Sequence, residues 1–282
     1  MIKKQLITGM ISLLVGFSVC TAQKKVLYKQ IDTTKLFLEV FYPEEFDNKK
    51  PYPAMIFFFG GGWRTGNPNQ FKPHAKYFST RGIVCFLADY RVSSRHQSTP
   101  FESLKDAKSA IRFLRKNASE FNIDASKIIA SGGSAGGHLA AATALIYEYN
   151  EASDDLSISC IPNALVLFNP AIDNGPGGAG YDKMGYAYKN ISPLHNIRAG
   201  APPTILFLGT NDKRIPVVTA EYYKLVMEKV NSRCDLKLYE GEGHGFFNYR
   251  NFDNYQTTVL EADKFLQSLG YLEEKAILEV EK

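Results

Sequence analysis

Cysteine is scarce, and neither sign of charge dominates. Four cysteines in 282 residues are too few for the dense disulfide framework that staples small secreted domains. The 33 Lys and Arg side chains face 29 Asp and Glu, so nothing in the charge balance implies a nucleic-acid partner. No internal repeat, low-complexity tract or interdomain linker interrupts the chain, which excludes repeat arrays and separate modules. No apolar run reaches the roughly 20 residues needed to cross a bilayer. What is present is the composition of a folding chain able to bury a sizeable core: 45% hydrophobic residues and 22% charged ones.

The first 22 residues stand apart. Lys3 and Lys4 precede a mostly apolar run from Leu6 to Val19, followed by Cys20-Thr21-Ala22, the layout of a secretory signal peptide with cleavage after Ala22. Lipid attachment at Cys20 is disfavoured by the bulky Val19 and Phe17 before it. Export to the periplasm or beyond is the expectation, with no stable membrane insertion. Cleavage removes two lysines and no acid, leaving 31 basic residues against 29 acidic ones. Cys85, Cys160 and Cys234 would remain. Cys85 lies inside an apolar run and reads as a buried hydrophobe; a Cys160–Cys234 bridge is open.

From Leu36 onward, short β-rich runs alternate with helical stretches, the pattern of a largely parallel sheet covered by helices on both faces. Strands are expected at Leu36 to Phe41, Ala54 to Phe59, Ile83 to Ala88, Lys127 to Ser131, Ala164 to Phe168, Thr204 to Gly209 and Leu236 to Tyr239. Leu104, Ala107, Ile111 and Leu114 share a helical face. Further helices are expected at Ala135 to Tyr147, Val217 to Val230 and Tyr255 to Leu269. Asp173 to Tyr188, rich in glycine and tyrosine, reads as a long loop. Residues 23–282 are taken as one α/β domain.

Chemistry concentrates at four strand ends. Gly132-Gly133-Ser134-Ala135-Gly136 places a G-x-S-x-G pattern between a strand and a helix. A serine on so tight a turn is pushed clear of the sheet, and the following helix aims its free N–H groups at the same point. Gly60-Gly61-Gly62-Trp63 follows a buried strand, so its bare backbone can approach a reacting oxygen. Gly61, Gly62 and Ala135 are therefore the candidate oxyanion donors. Ser134 needs a base, because a hydroxyl is a poor nucleophile at its free pKa. Of five histidines, His244 lies in the glycine-flanked loop after the last strand and is favoured. His74, His96 and His195 lie in surface-like polar or turn segments, and His138, one turn beyond Ser134, is assigned a packing or capping role. Asp212 follows the Thr204 to Gly209 strand and gives the order Ser134, Asp212, His244, the one expected for a triad on such a sheet. Glu240 and Glu242 compete for the acid's role by proximity to His244 alone.

With these segments the chain resembles the acetyl esterase and lipase group of α/β hydrolases, including feruloyl-esterase-like and acetylxylan-esterase-like enzymes. The likeness covers roughly residues 35 to 270. It includes Asp89-Tyr90-Arg91, Asp106 with Ile111-Arg112-Phe113-Leu114, Ile123-Asp124, Ser192-Pro193-Leu194 and Ala201-Pro202-Pro203. The resemblance implies a mostly parallel eight-stranded sheet and a short acyl ester as substrate, with no metal or organic cofactor. Phe59 departs from the group, which usually places a histidine before the three glycines to brace the oxyanion loop. Acylated polysaccharide is the expected substrate, acetyl ahead of feruloyl, with Trp63, Tyr181 and Tyr186 as candidate contacts. An aryl formamidase, a peptidase-like activity and a noncatalytic binding protein on the same scaffold stay open, as does the oligomeric state.

Overall fold

In the strand β3, Tyr52–Phe58, the residues Ala54, Ile56 and Phe58 pack into one apolar cluster while Met55 and Phe57 pack into another. Ile128 and Ala130 against Ile129, Leu165 and Leu167 against Val166, and Leu206 and Leu208 against Phe207 divide in the same way. Successive strand side chains point to opposite faces, so an unbroken apolar run marks a strand covered on both sides. The computed structural model describes residues 24–274; the signal peptide expected over residues 1–22 lies outside them.

The remaining strands are β1 Lys24–Ile31, β2 Thr34–Phe41, β4 Val84–Ala88, β5 Ile123–Gly133, β6 Ala164–Phe168, β7 Thr204–Gly209 and β8 Cys234–Tyr239. They form one sheet in the order β1-β2-β4-β3-β5-β6-β7-β8. The β1–β2 and β2–β4 pairs are antiparallel, and β4 through β8 run parallel. The helices Pro100–Lys116, Ala135–Leu145 and Val217–Lys229 cover one face. Lys72–Thr80 and Phe252–Ser268 cover the other.

The chain leaves β3 for β4 on one side and returns to β5 on the other side of β3. At such a reversal the loops after the two central strands diverge and leave a crevice at their carboxyl ends, where α/β sheets hold ligands. Phe58 pairs with Gly132, so the loop beginning at Phe59 and the turn at Ser134 emerge side by side.

Besides short helical turns such as Ser93–His96 and Ala118–Phe121, two longer elements escaped the sequence reading. β1 is an edge strand whose residues are mostly exposed or half-buried, so its lysines blur any alternation. The Lys72–Thr80 helix carries Pro73 in its first turn, and its short, polar-studded sequence hides the buried face made by His74, Ala75, Tyr77 and Phe78. The segment 173–188 holds a helical turn at Tyr181–Met184 and 3-10 turns over Gly185–Asn190. Cys85, Cys160 and Cys234 are free and buried, so no Cys160–Cys234 bridge forms.

Candidate active site

The turn that carries Ser134 can be built only from glycine at two positions. A Cβ on Gly132 would lie 2.4 Å from the Gly136 backbone, and one on Gly136 would lie 1.9 Å from the Phe58 carbonyl oxygen. Ser134 itself sits at φ 55°, ψ −117°, a left-handed conformation costing about 1–3 kcal/mol that its surroundings must enforce. Its N–H donates to the Phe168 carbonyl at 3.0 Å, and its carbonyl accepts from His138 N–H at 2.9 Å and Ala171 N–H at 3.1 Å. Strand β6 and the helix Ala135–Leu145 thus clamp the backbone and leave the hydroxyl to face the cleft.

The structure brings together Ser134, His244 and Asp212. His244 Nε2 lies 2.9 Å from Ser134 Oγ, and His244 Nδ1 lies 2.8 Å from Asp212 Oδ2. A carboxylate only accepts, so Nδ1 carries the proton and Nε2 is left to accept from the hydroxyl. Asp212 is buried, which opposes its ionisation. The hydrogen bond from His244 and those from the N–H groups of Arg214 and Ile215 outweigh that penalty and hold the carboxyl below its usual range. Neither Glu240 nor Glu242 contacts the ring; Glu242 meets the Asp212 loop only through its backbone, accepting from Asn211 N–H at 2.9 Å.

One arm of the crevice is the glycine loop. Gly60 N–H donates to Gln70 Oε1 at 2.6 Å, and Gln70 Nε2 donates to Asn248 Oδ1 at 2.9 Å. Gly61 adopts φ 131°, and a Cβ there would lie 2.2 Å from the Thr65 carbonyl oxygen. The N–H groups of Gly61, Gly62 and Ala135 donate to no protein group among the described residues. Gly61 and Gly62 line the same cleft as Ser134 and Ala135 follows it directly in the chain, so free donors there suit a developing negative oxygen. Phe59, in place of the family's histidine, stacks on Tyr90 at 4.1 Å between centroids, and Tyr90 donates its hydroxyl hydrogen to the Phe59 carbonyl at 2.6 Å. The bracing expected of the histidine is provided here by Gln70 from the segment Pro68–Phe71.

Gln70 and Asn169 were missed by sequence reasoning. Asn169, just after β6, accepts from Gly245 N–H at 3.0 Å and places its amide 3.5 Å from His244 Nε2, fixing the histidine loop. Neither residue belongs to a motif, because each acts through a fold contact to a loop distant in sequence.

Ser134 opens on a cleft of about 610 Å³ lined by the glycine loop, Asn67, Asn69, Gln70, Asn248 and others. Trp63, Tyr181 and Tyr186 do not line it. Trp63 is 4% exposed, edge-on to His138 at 5.0 Å, with its ring against Gly180; it pins the 173–188 segment from beneath. Tyr181 packs on Tyr188 at 5.8 Å, and Tyr186 is 93% exposed. His74, read as a surface residue, is in fact wholly buried among Phe71, Phe168, Phe247 and Tyr255. His138 is buried and donates from Nε2 to the Ile191 carbonyl at 3.0 Å, a packing role. Among the described residues no group of His, Cys, Asp and Glu is arranged to hold a metal ion.

The family model BD-FAE matches residues 38–164, which include Ser134, and the Dienelactone hydrolase family model matches residues 176–270, which include Asp212 and His244. The chain is 28% identical to Esterase LipC of Mycobacterium tuberculosis over 79% of its length and 60% of the relative's. It is 26% identical to the acetylxylan esterase of Xylanibacter ruminicola, over 95% of this chain and 54% of that one. The chain therefore spans a little over half the length of these curated relatives. Among solved structures, Thermogutta terrifontis esterase 2 phosphoramylated by tabun is 43% identical, covering 90% of this chain and 97% of that one with a TM-score of 0.86. The propionate-bound form of the same esterase is 42% identical, with the same coverage and TM-score. With that identity across most of both chains, the protein belongs to the α/β-hydrolase superfamily, among its esterases.

Proposed function

We propose that the protein is an exported serine carboxylesterase that hydrolyses short-chain acyl esters, with Ser134, His244 and Asp212 as its triad and acylated glycans as its substrates. The observation that carries this is the unbroken hydrogen-bond relay from Ser134 Oγ through the imidazole to Asp212, facing free backbone donors across the cleft. Ser134 Oγ attacks the ester carbonyl while its proton passes to His244 Nε2. The carbonyl oxygen, now negative, is met by the N–H groups of Ala135 and Gly61, with Gly62 adjacent. Asp212 stabilises the resulting imidazolium without taking its proton. The tetrahedral adduct collapses as Nε2–H protonates the departing alcohol oxygen. Water, deprotonated by the same nitrogen, then attacks the acyl-serine and releases the acid.

Short acyl groups are supported by the propionate- and butyrate-bound forms of the Thermogutta terrifontis esterase, and a glycan substrate by the name of the Xylanibacter ruminicola relative. The test is hydrolysis of p-nitrophenyl acetate together with acetate release from acetylated xylan. Wild-type protein is expected to turn over both and Ser134→Ala neither. Retained activity in Ser134→Ala removes the mechanism, and small-ester turnover without acetate release removes the glycan assignment.

A further inference from the structure

The loops that bring the acid and the base to the cleft also bring an arginine each. Arg214 follows Asp212 by two residues and Arg250 follows His244 by six. Both are exposed and both line the cleft at Ser134. Neither side chain makes a hydrogen bond or ion pair to any described residue. Most other described arginines are tied down: Arg81, Arg91, Arg95, Arg112 and Arg233 are each held by a carboxylate and Arg115 and Arg198 by backbone carbonyls, while Arg64, also without a side-chain partner, does not line the cleft. No Asp or Glu lines the cleft, and the one carboxylate beneath it, Asp212, is already occupied by His244 and two backbone N–H groups.

Two unpaired guanidiniums at the mouth of a cleft without acids make a positive field that concentrates anionic substrates. Guanidinium is also the side chain whose planar fork fits a carboxylate best. The side of the scissile bond follows from the reaction geometry. His244 gives its proton to the departing alcohol, so the alcohol part of the ester lies beside His244, and Arg214 and Arg250 belong to the two loops that carry and orient that imidazole. The amide-rich wall made by Asn67, Asn69 and Asn248 adds donors and acceptors suited to hydroxyl groups. Resting on the esterase reading above, we propose that Arg214 and Arg250 are specificity residues for esters whose alcohol moiety carries a carboxylate, such as O-acylated uronic acid units of a glycan.

The experiment compares 4-acetoxybenzoate, its neutral isostere 4-acetoxybenzamide, and the hemisuccinate ester of p-nitrophenol, in which the carboxylate sits on the acyl side. Wild-type protein is set against Arg214→Gln, Arg250→Gln and the double variant. In the double variant the ratio of kcat/KM for acetoxybenzoate over acetoxybenzamide is expected to fall about tenfold, the scale of two solvent-screened charge contacts. The fall is expected in KM, and raising ionic strength should shrink the wild-type ratio in the same direction. A ratio unchanged within twofold overturns the proposal, as does a loss confined to the hemisuccinate. If wild-type protein hydrolyses none of the three, the esterase reading itself fails; turnover of the amide isostere without a carboxylate preference defeats only the assignment of the arginines.

Discussion

At the scale of single residues, the histidines divide by environment. His244 is held between a hydroxyl and a carboxylate. His74 lies in an aromatic cage where neither ring nitrogen finds a partner, and burial lowers its pKa to about 3. His138 is lowered to about 4 by burial, against the opposing pull of its hydrogen bond to the Ile191 carbonyl. In the unfolded chain both titrate near 6.5. Below that value the unfolded state binds the protons and the folded state does not, so stability is complete above pH 6.5 and falls as pH drops toward the folded values. Each histidine costs about 1.4 kcal/mol per pH unit in that window. Asp212 behaves in the same direction but later, since its lowered pKa preserves its contribution until the pH passes below the ordinary carboxylate range. As pH falls from 6.5, the two buried histidines therefore act on stability before Asp212 does. His74→Phe, placed among rings, is expected to gain about 2 kcal/mol on the wild type between pH 6.5 and pH 5, read as converging or crossing thermal-unfolding curves. Parallel pH profiles for the two proteins would contradict this. Asp212→Asn keeps the volume but offers His244 an amide, which admits the tautomer with the proton on Nε2. A fall of about 10^4 in kcat is expected, measured on p-nitrophenyl acetate.

At the scale of elements, the glycine loop and the serine turn are two backbone shapes pressed against each other. Gly136→Ala would force its methyl into the Phe58 carbonyl, parting β3 from the Ala135–Leu145 helix. A loss of roughly 2–4 kcal/mol is expected, seen as a fall of roughly 5–15 °C in Tm. Gln70 acts on the same loop from outside. Gln70→Ala removes the acceptor for Gly60 N–H, and about a tenfold fall in kcat with KM little changed is expected, because the loosened donors matter most to the charged oxygen of the transition state. Gln70→Glu keeps the acceptor and should recover part of the loss; equal kcat in all three proteins would remove Gln70 from this role. These elements also show what a sequence reveals. The buried strands β3 to β7 were legible because burial on both faces leaves an apolar run, and the serine turn because its crowding tolerates only glycine. Gln70, Asn169, Arg214 and Arg250 were not, since their significance lies in which loops the sheet order brings together. The tyrosines of the 173–188 segment misled for the opposite reason: aromatic content signals packing as readily as a binding surface, and Trp63 is consumed in packing.

At the scale of the whole molecule, the strand order assembles the cleft from distant parts of the chain. The glycine loop leaves β3, the serine turn leaves β5, and the acid and histidine loops leave β7 and β8, all at the carboxyl edge of the sheet. The export proposal concerns residues 1–22. Expressed in a host with a secretory pathway, the chain is expected to yield protein whose first residue is Gln23, as N-terminal sequencing would show; an intact Met1 on exported protein would contradict the assigned cleavage. The central claim, that one serine is activated by the relay, is tested most directly by covalent capture. Treatment with a fluorophosphonate followed by peptide mass spectrometry should place a single adduct on Ser134, with labelling suppressed in Ser134→Ala and greatly slowed in Asp212→Asn. Folded wild-type protein that takes up no label, or takes it elsewhere, would contradict the account.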